Sequence, residues 1–149
     1  MHTVDSGKTA AVDAALATLR IAVAIIFFAH GAQKVFQFGI AGVTQGFTQM
    51  GIPLPGITAP LVAGLELVGG VLLLLGLFTR PIALLLAIDM VGAAAFVHFK
   101  NGFFLPNGFE FTFILFATSL ALVLAGAGEL SLDALISKRR RASVAPAMP

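Results

Sequence analysis

Apolar residues along the chain are gathered into four long blocks, and the stretches between the blocks hold many of its polar side chains. The blocks cover about residues 14–36, 57–78, 82–99 and 109–127. Each contains about 18 to 23 residues, and an α-helix needs about 20 apolar residues to cross the hydrocarbon core of a bilayer. The strands of membrane barrels need only about 10. The pattern therefore predicts an all-α integral membrane protein, a bundle of four transmembrane helices.

Composition supports this prediction and limits the chemistry. Hydrophobic residues make up 58% of the 149 positions and charged residues 11%, whereas soluble domains average about 25% charged residues. The chain has no cysteine, which excludes a disulfide framework, a thiol-based redox centre and an ordinary iron–sulfur cluster within it. It also lacks a flavin or dinucleotide motif. Any redox centre would therefore have to come from a partner protein.

The distribution of basic residues predicts the orientation in the membrane. We divide the chain into an N-terminal segment, residues 1–13, a four-span membrane domain, residues 14–127, and a basic tail, residues 128–149. No small-residue cleavage site follows the first block, so we expect an uncleaved first span. Four spans place both termini on one side, and seven of the nine Lys and Arg residues fall on that side. The excess predicts that both termini are cytoplasmic.

The tail contains the run KRRR at residues 138–141. We interpret this run as a positively charged anchor beside the last span, followed by a disordered end. Four basic residues next to a span are weak evidence for nucleic-acid binding, so we predict no nucleic-acid partner.

The connection between the first two spans, residues 37–56, carries no charge. Within it Val43, Phe47 and Met50 follow a helical spacing, with polar residues between them, which predicts a short amphipathic helix that ends at Gly51. Two roles are open for this helix. It either lies in the membrane interface at the outer surface or forms a lid over a cavity between the spans, and the first role is the simpler one.

Several polar side chains are predicted to lie in the middle and outer half of the bundle. Because an unpaired charge inside a membrane is costly, we expect them to face inward and to pair with one another. We interpret them as a pocket for ligand binding or proton exchange, without a metal ion and with no assigned catalytic residue. The candidates are His30, Gln33, Lys34, Glu66, Asp89, His98, Asn107 and Glu110.

The spacing of His30 and Lys34 suggests how the pocket is paired. Residues four apart share one face of a helix, and two cationic groups on one face need an acid from another helix. Glu66 is the best candidate for that acid. Asp89 has no basic residue at its depth, so protonation or a hydrogen bond to His30 or to a ligand would have to satisfy it. Lys34 and Glu110 lie near span ends, where extension toward the interface or charge pairing at a helix end also explains them.

Several motifs resemble one known family. They are AHGAQKVF in the first span, the GIPLP turn, the hairpin GLELVGGVLLLLGLFTRPIALLLA and the entry NGFFLPNGFEF to the fourth span. Together they are similar to the DoxX family of small four-span proteins, over about residues 16–124. The resemblance implies a four-helix bundle of the bacterial inner membrane and a link to quinone reduction. The residues that match the family motifs are His30, Gly31, Lys34, Glu66, Gly69, Gly70 and Arg80.

Three functional hypotheses follow, and they leave open whether the protein is an enzyme. The first is a quinone-interacting or accessory subunit of an oxidoreductase, with no intrinsic cofactor, a quinone as the expected ligand and a partner subunit. The second is a b-type haem between His30 and His98, which two lone histidines support only weakly. The third is a carrier for a small solute, or a membrane-embedded binding or assembly protein without catalysis. A carrier this short would need a homo-oligomer to form a transport path.

Overall fold

The computed structural model describes residues 6–144, and this part of the chain contains helices and loops but no strand. A π-helical segment, Gln33–Phe38, follows the first helix, and a π-helical segment, Ala94–His98, with a 3-10 turn, Phe99–Asn101, follows the fourth. The α-helices are α1 Ser6–Ala32, α2 Gly39–Gln49, α3 Pro55–Leu75, α4 Thr79–Ala93, α5 Glu110–Ala125 and α6 Leu132–Val144.

Four of these helices form the membrane bundle. The helical stretches Thr9–Gln49, Pro55–Leu75 and Thr79–Asn101 are long and apolar enough to cross a bilayer, and α5 is a shorter apolar helix. The 16 residues of α5 extend about 24 Å at roughly 1.5 Å per residue, somewhat less than a hydrocarbon core of about 30 Å. The loop before α5 is apolar and exposed around Phe104, and it can occupy the remaining depth. The predicted fold class is confirmed.

The bundle is closed, because each spanning helix packs against two others. α1 packs on α3, α3 on α4, α4 on α5, and α5 returns to α1. Large apolar side chains such as Leu61, Ile88 and Ile114 are exposed on the outside, where lipid would cover them. The buried core between the four helices contains Val23, Ala24, Phe27, Leu73, Ala83, Leu86, Met90, Leu115 and Leu122.

Glycines bring α1 and α3 unusually close together. A Cβ added to Gly70 would lie 2.6 Å from the backbone nitrogen of Phe28, and one added to Gly31 would overlap the backbone of Leu67. Small residues at a helix interface allow this kind of backbone approach in membranes. Gly69 faces α4 instead, where an added Cβ would lie 3.2 Å from a side-chain carbon. These three glycines therefore serve close helix packing.

One end of the bundle, which we call the Arg20 end, is organised by a buried arginine. Arg20 is only 2% exposed. Its Nη1 donates hydrogen bonds to the carbonyl oxygens of Leu73, at 2.6 Å, and Leu74, at 2.8 Å, and its Nη2 donates to that of Leu130, at 2.7 Å. The last carbonyls of a helix have no partner within it and attract positive charge. Arg20 therefore ties the end of α3 to the chain that leads into α6.

Asp133 of α6 stabilises the beginning of α4. Its carboxylate accepts hydrogen bonds from the backbone N–H groups of Phe78 and Thr79, each at 2.9 Å. The N–H of Asp133 donates to the carbonyl oxygen of Gly76, also at 2.9 Å. A carboxylate at the first turn of a helix satisfies donors that have no partner within that helix. The short turn between α3 and α4 is thus held by side chains from α1 and α6.

The tail differs from the prediction. We expected the chain to be disordered after the basic run, but helix α6 continues through that run to Val144. The helix is supported at its beginning, because the Oγ of Ser131 accepts a hydrogen bond from the N–H of Ala134 at 3.2 Å and Asp133 fixes the first turn. Residues 145–149 of the predicted disordered end lie outside the described part of the chain.

The opposite end, which we call the His98 end, carries the connection between the first two spans. The helix predicted there is α2, and it packs against α3. Gly39 separates α2 from the first span with a φ of 68°, a backbone conformation that glycine adopts at little cost. The N–H of Met50 still bonds to Gly46, and Gly51 follows with a φ of 74°. The helix therefore ends at the predicted glycine.

Candidate functional site

The predicted partner of Lys34 is confirmed. Nζ of Lys34 donates a hydrogen bond to Oε2 of Glu66 in an ion pair between the first π-helical segment and the middle of α3. The side chains are 18% and 5% exposed, respectively. Glu66 can lie here because neighbouring Gly69 and Gly70 and, on α1, Gly31 let three helices meet closely. The charges therefore face the interior of the bundle.

Asp89 of α4 is the third member of this group, which we call the acid–lysine cluster: Lys34, Glu66 and Asp89. The Asp89 carboxyl interacts with both other charges and lies close enough to the Glu66 carboxyl for a hydrogen bond. Its Oδ2 is buried and has no hydrogen-bond partner among the described residues. Carboxylates only accept hydrogen bonds, so a bond between two carboxyl groups requires a proton on one of them. The cluster thus combines a cation, two acids and an unused acceptor.

His30 does not join the cluster, which corrects the expectation that it faces inward beside Lys34. Its side chain is exposed, and its ring lies 6.3 Å from that of Phe111 on α5. Lys34 belongs to the π-helical segment, whereas His30 lies in the regular helix before it. The wider π turn changes the faces on which successive side chains lie. Regular helical spacing therefore does not describe this pair.

His30 and Gln33 instead line an open groove of about 660 Å³ on the surface of the first span. Both side chains are exposed. Gln33 directly precedes Lys34 in the chain, but Lys34, Glu66 and Asp89 do not line the groove. The complete lining is Ala29, His30, Ala32, Gln33, Phe36 and Gln37.

The remaining candidates organise the connection between α4 and α5. Nδ1–H of His98 donates to the carbonyl oxygen of Asn107 at 3.0 Å, and Nδ2 of Asn101 donates to the same oxygen at 3.2 Å. Oε1 of Glu110 accepts from the N–H of Leu105 at 2.9 Å. These bonds stay within one loop and its flanking helices. The structure therefore brings only Lys34, Glu66 and Asp89 of the predicted pocket residues into one buried cluster.

A separate apolar cavity of about 200 Å³ lies between α4 and α5 near the His98 end. The rings of Phe99 and Phe109 meet there edge to face, with centroids 4.8 Å apart. Its lining is Met90, Val91, Ala94, Phe99, Phe109, Thr112, Phe113 and Phe116. Within residues 6–144, no group of three or more His, Cys, Asp or Glu side chains is arranged to hold a metal ion.

Sequence reasoning missed the structural role of two charged residues. Arg20 was counted only as part of the basic excess, although its position inside the first predicted span was a signal, since a buried arginine in a membrane needs partners. Its partners are backbone carbonyls, which a sequence pattern does not display. The sequence gave no signal for the role of Asp133, because a single acidic residue in a polar tail is common.

Comparison with known proteins identifies the family. A family model described as DoxX matches residues 15–99, which contain the whole acid–lysine cluster. The chain belongs to the DoxX family. The matched DoxX segment includes His30, Gln33 and His98 and ends before Asn107 and Glu110. No solved structure matches this DoxX chain at a significant level.

Curated DoxX-like relatives are similar along most of their length. A Bacillus subtilis protein named "Putative oxidoreductase CatD" is 40% identical over 123 residues, which cover 83% of this chain and 87% of that protein. The Escherichia coli inner membrane protein YphA is 32% identical over 76% of this chain and 84% of its own length. An uncharacterised Mycobacterium tuberculosis membrane protein, Rv3486, is 35% identical over 83% of this chain and 82% of its length. This DoxX chain is a membrane protein.

Proposed function

We propose that this DoxX protein is a quinone-interacting or accessory subunit of an oxidoreductase, and that its acid–lysine cluster binds the polar head of the ligand. The observation that carries the proposal is the buried ion pair of Lys34 and Glu66 beside Asp89. Ionisable groups inside a membrane are costly and usually mark a ligand or proton pathway. The name of the Bacillus subtilis relative, "Putative oxidoreductase CatD", describes that protein and supports the oxidoreductase class for this one.

The cluster has the chemistry that such a ligand needs. A bound quinone supplies two carbonyl oxygens that take up protons when they are reduced. The ammonium of Lys34 can donate a hydrogen bond and the two carboxyls can hold and release a proton, which are the roles of general acids and bases. The buried Oδ2 of Asp89 is an acceptor without a partner in the described part of the chain, so a quinol hydroxyl group that reached it would have an acceptor for its hydrogen bond. Electrons would come from a partner subunit.

The first experiment measures quinone retained by protein purified gently from bacterial membranes. We expect the wild type to carry quinone and Glu66→Gln to lose most of it, because the amide can no longer take up and release a proton or accept the charged hydrogen bond from Lys34. Glu129→Gln is the matched control, since Glu129 is an exposed carboxylate paired with Lys138 at the other end of the bundle. Wild-type protein without quinone, or equal retention in Glu66→Gln, would contradict the proposal.

A second candidate is a non-catalytic carrier or binding protein for a small polar solute, which the open groove of about 660 Å³ favours. Its exposed lining residues His30 and Gln33 offer hydrogen bonds to a polar solute. A homo-oligomer would complete the transport path. Uptake of a solute by proteoliposomes that lack quinone, and its loss in Glu66→Gln, would support this function in place of the first.

We also propose that the protein lies in the bacterial inner membrane with both ends of its described chain in the cytoplasm. The chain has no cysteine, so one introduced thiol reports its own side of the membrane. In intact spheroplasts, a reagent that cannot cross the membrane should label Asn101→Cys at once and Ser143→Cys only after lysis. Both side chains are exposed. The reverse labelling order would overturn the proposed orientation.

A further inference from the structure

Helix α6 begins at a fixed place beside the membrane. Its first turn is attached to the α3–α4 turn through Asp133, and the carbonyl of Leu130 just before it is held by Arg20. Since α3 and α4 both cross the bilayer, the turn between them lies at the end of the bundle. The first residues of α6 are therefore held where the spanning helices leave the hydrocarbon core.

One side of α6 exposes apolar residues. Leu132, Leu135 and Ile136 are 36%, 46% and 40% exposed, and their spacing places them on one face of the helix. We call these three residues the α6 stripe. Exposed apolar surface at the edge of a membrane domain is typical of a helix that lies in the interface.

The second half of α6 is strongly basic. Lys138, Arg139, Arg140 and Arg141 are consecutive and exposed. Lys138 forms an ion pair with Glu129, whereas the three arginines form no ion pair with any residue between 6 and 144. Arg139 and Arg140 continue the α6 stripe by about one turn, whereas Arg141 lies on the opposite side of the helix. Apolar groups and these two cations therefore share one surface beside the bilayer.

We propose that α6 is a binding surface for anionic phospholipid, with its stripe inserted at the level of the headgroups and with Arg139 and Arg140 bound to phosphate. A long basic side chain can lie along apolar surface while its charged head reaches a phosphate. Guanidinium groups bind phosphate with two parallel hydrogen bonds. Polybasic segments next to a membrane helix are attracted to anionic leaflets. Because its first turn is already fixed, α6 loses less conformational entropy on binding than a loose tail would.

The test uses the full chain in nanodiscs of phosphatidylcholine alone or of phosphatidylcholine mixed with phosphatidylglycerol. Because the chain has no cysteine, Ile136→Cys reports the stripe, and Ser137→Cys is the matched control on the opposite side. The rate of labelling by a water-soluble maleimide is measured at each position. In the anionic discs we expect Ile136→Cys to react several-fold more slowly than Ser137→Cys, and we expect a smaller difference in the neutral discs.

Two triple variants test the role of charge. Replacing Arg139, Arg140 and Arg141 with Gln should remove the effect of phosphatidylglycerol on the Ile136→Cys rate, while replacing them with Lys should keep most of it. Equal rates at positions 136 and 137 in both kinds of disc would overturn the proposal. Protection at position 136 that depends neither on the lipid charge nor on the Gln replacements would also overturn it, because α6 would then be covered by protein.

Discussion

Removing the charge of Lys34 should destabilise the bundle more than any other single change in the acid–lysine cluster. Lys34→Met deletes the ammonium that contacts Glu66 and leaves two carboxyl groups side by side. Breaking one partner of a buried ion pair costs about 3–5 kcal/mol. Because 18% of the Lys34 side chain is exposed, we expect about 3 kcal/mol. This loss corresponds to roughly a hundredfold change in the unfolding equilibrium.

A comparison of the stability losses in Lys34→Met and Glu66→Gln tests whether all three residues of the cluster interact. Glu66→Gln leaves Asp89 as a counter-charge for Lys34, so its cost should be about 1 kcal/mol, in the range of a lost hydrogen bond. In the double variant Lys34→Met/Glu66→Gln only one carboxyl remains, and it can be protonated. The double variant should therefore be more stable than the sum of the two single losses predicts, by about 1–2 kcal/mol, which is typical of contacting residues.

Reversible unfolding in mixed micelles, followed by helical circular dichroism during titration with a denaturing detergent, measures these free energies. Gln33→Met is the matched control, since Gln33 is the exposed neighbour of Lys34 and should change stability little. Equal losses for Lys34→Met and Glu66→Gln, or strict additivity in the double variant, would refute the reasoning, because either result would mean that Asp89 does not share the cation.

Two further changes test the parts of the fold that hold the cluster in place. Gly70→Ala should lower the melting temperature, because the added Cβ would lie 2.6 Å from the backbone of Phe28. Gly64→Ala is the control and should leave it unchanged, because a Cβ added there meets no atom within 4 Å. Equal melting temperatures for the two variants would contradict the close packing of α1 and α3. Asp133→Ala should cost about 1–2 kcal/mol by removing the cap of α4 and should expose α6 to limited proteolysis, whereas Ser137→Ala on the exposed face of α6 should do neither.

Much of the architecture could be predicted because membrane crossing leaves a direct trace in the sequence. Four apolar blocks indicated the number of spans, and the expectation that the cationic side chains of the first span need an acid indicated Glu66 as the partner of Lys34. Asp89 was predicted to lie in the same pocket, but its direct interaction with Lys34 and Glu66 was not, since two acids attract each other only through a shared proton or a common cation. The position of a residue along its span indicates its depth in the membrane, but it does not indicate which face of the helix the residue occupies.

The errors had a different physical origin. His30 was expected to face inward because regular helical spacing was assumed through a segment that is π-helical. The chain was expected to be disordered directly after the basic run, yet α6 continues to Val144 from a first turn that Ser131 and Asp133 stabilise. The partners of Arg20 are backbone carbonyls. The hydrogen bonds of Arg20 and Asp133 join segments that are distant in the chain, and a local sequence pattern does not contain that information.

The close approach of α1 and α3 also determines how the cluster can open. The backbones meet at Gly31 and Gly70, so the interface of α1 and α3 is closely packed on the side that carries Glu66. Asp89 belongs to α4, which meets α3 at Gly69 through apolar side chains. A ligand that separates α4 from α3 would therefore break side-chain contacts, whereas one that separates α1 from α3 would have to break contacts between backbones.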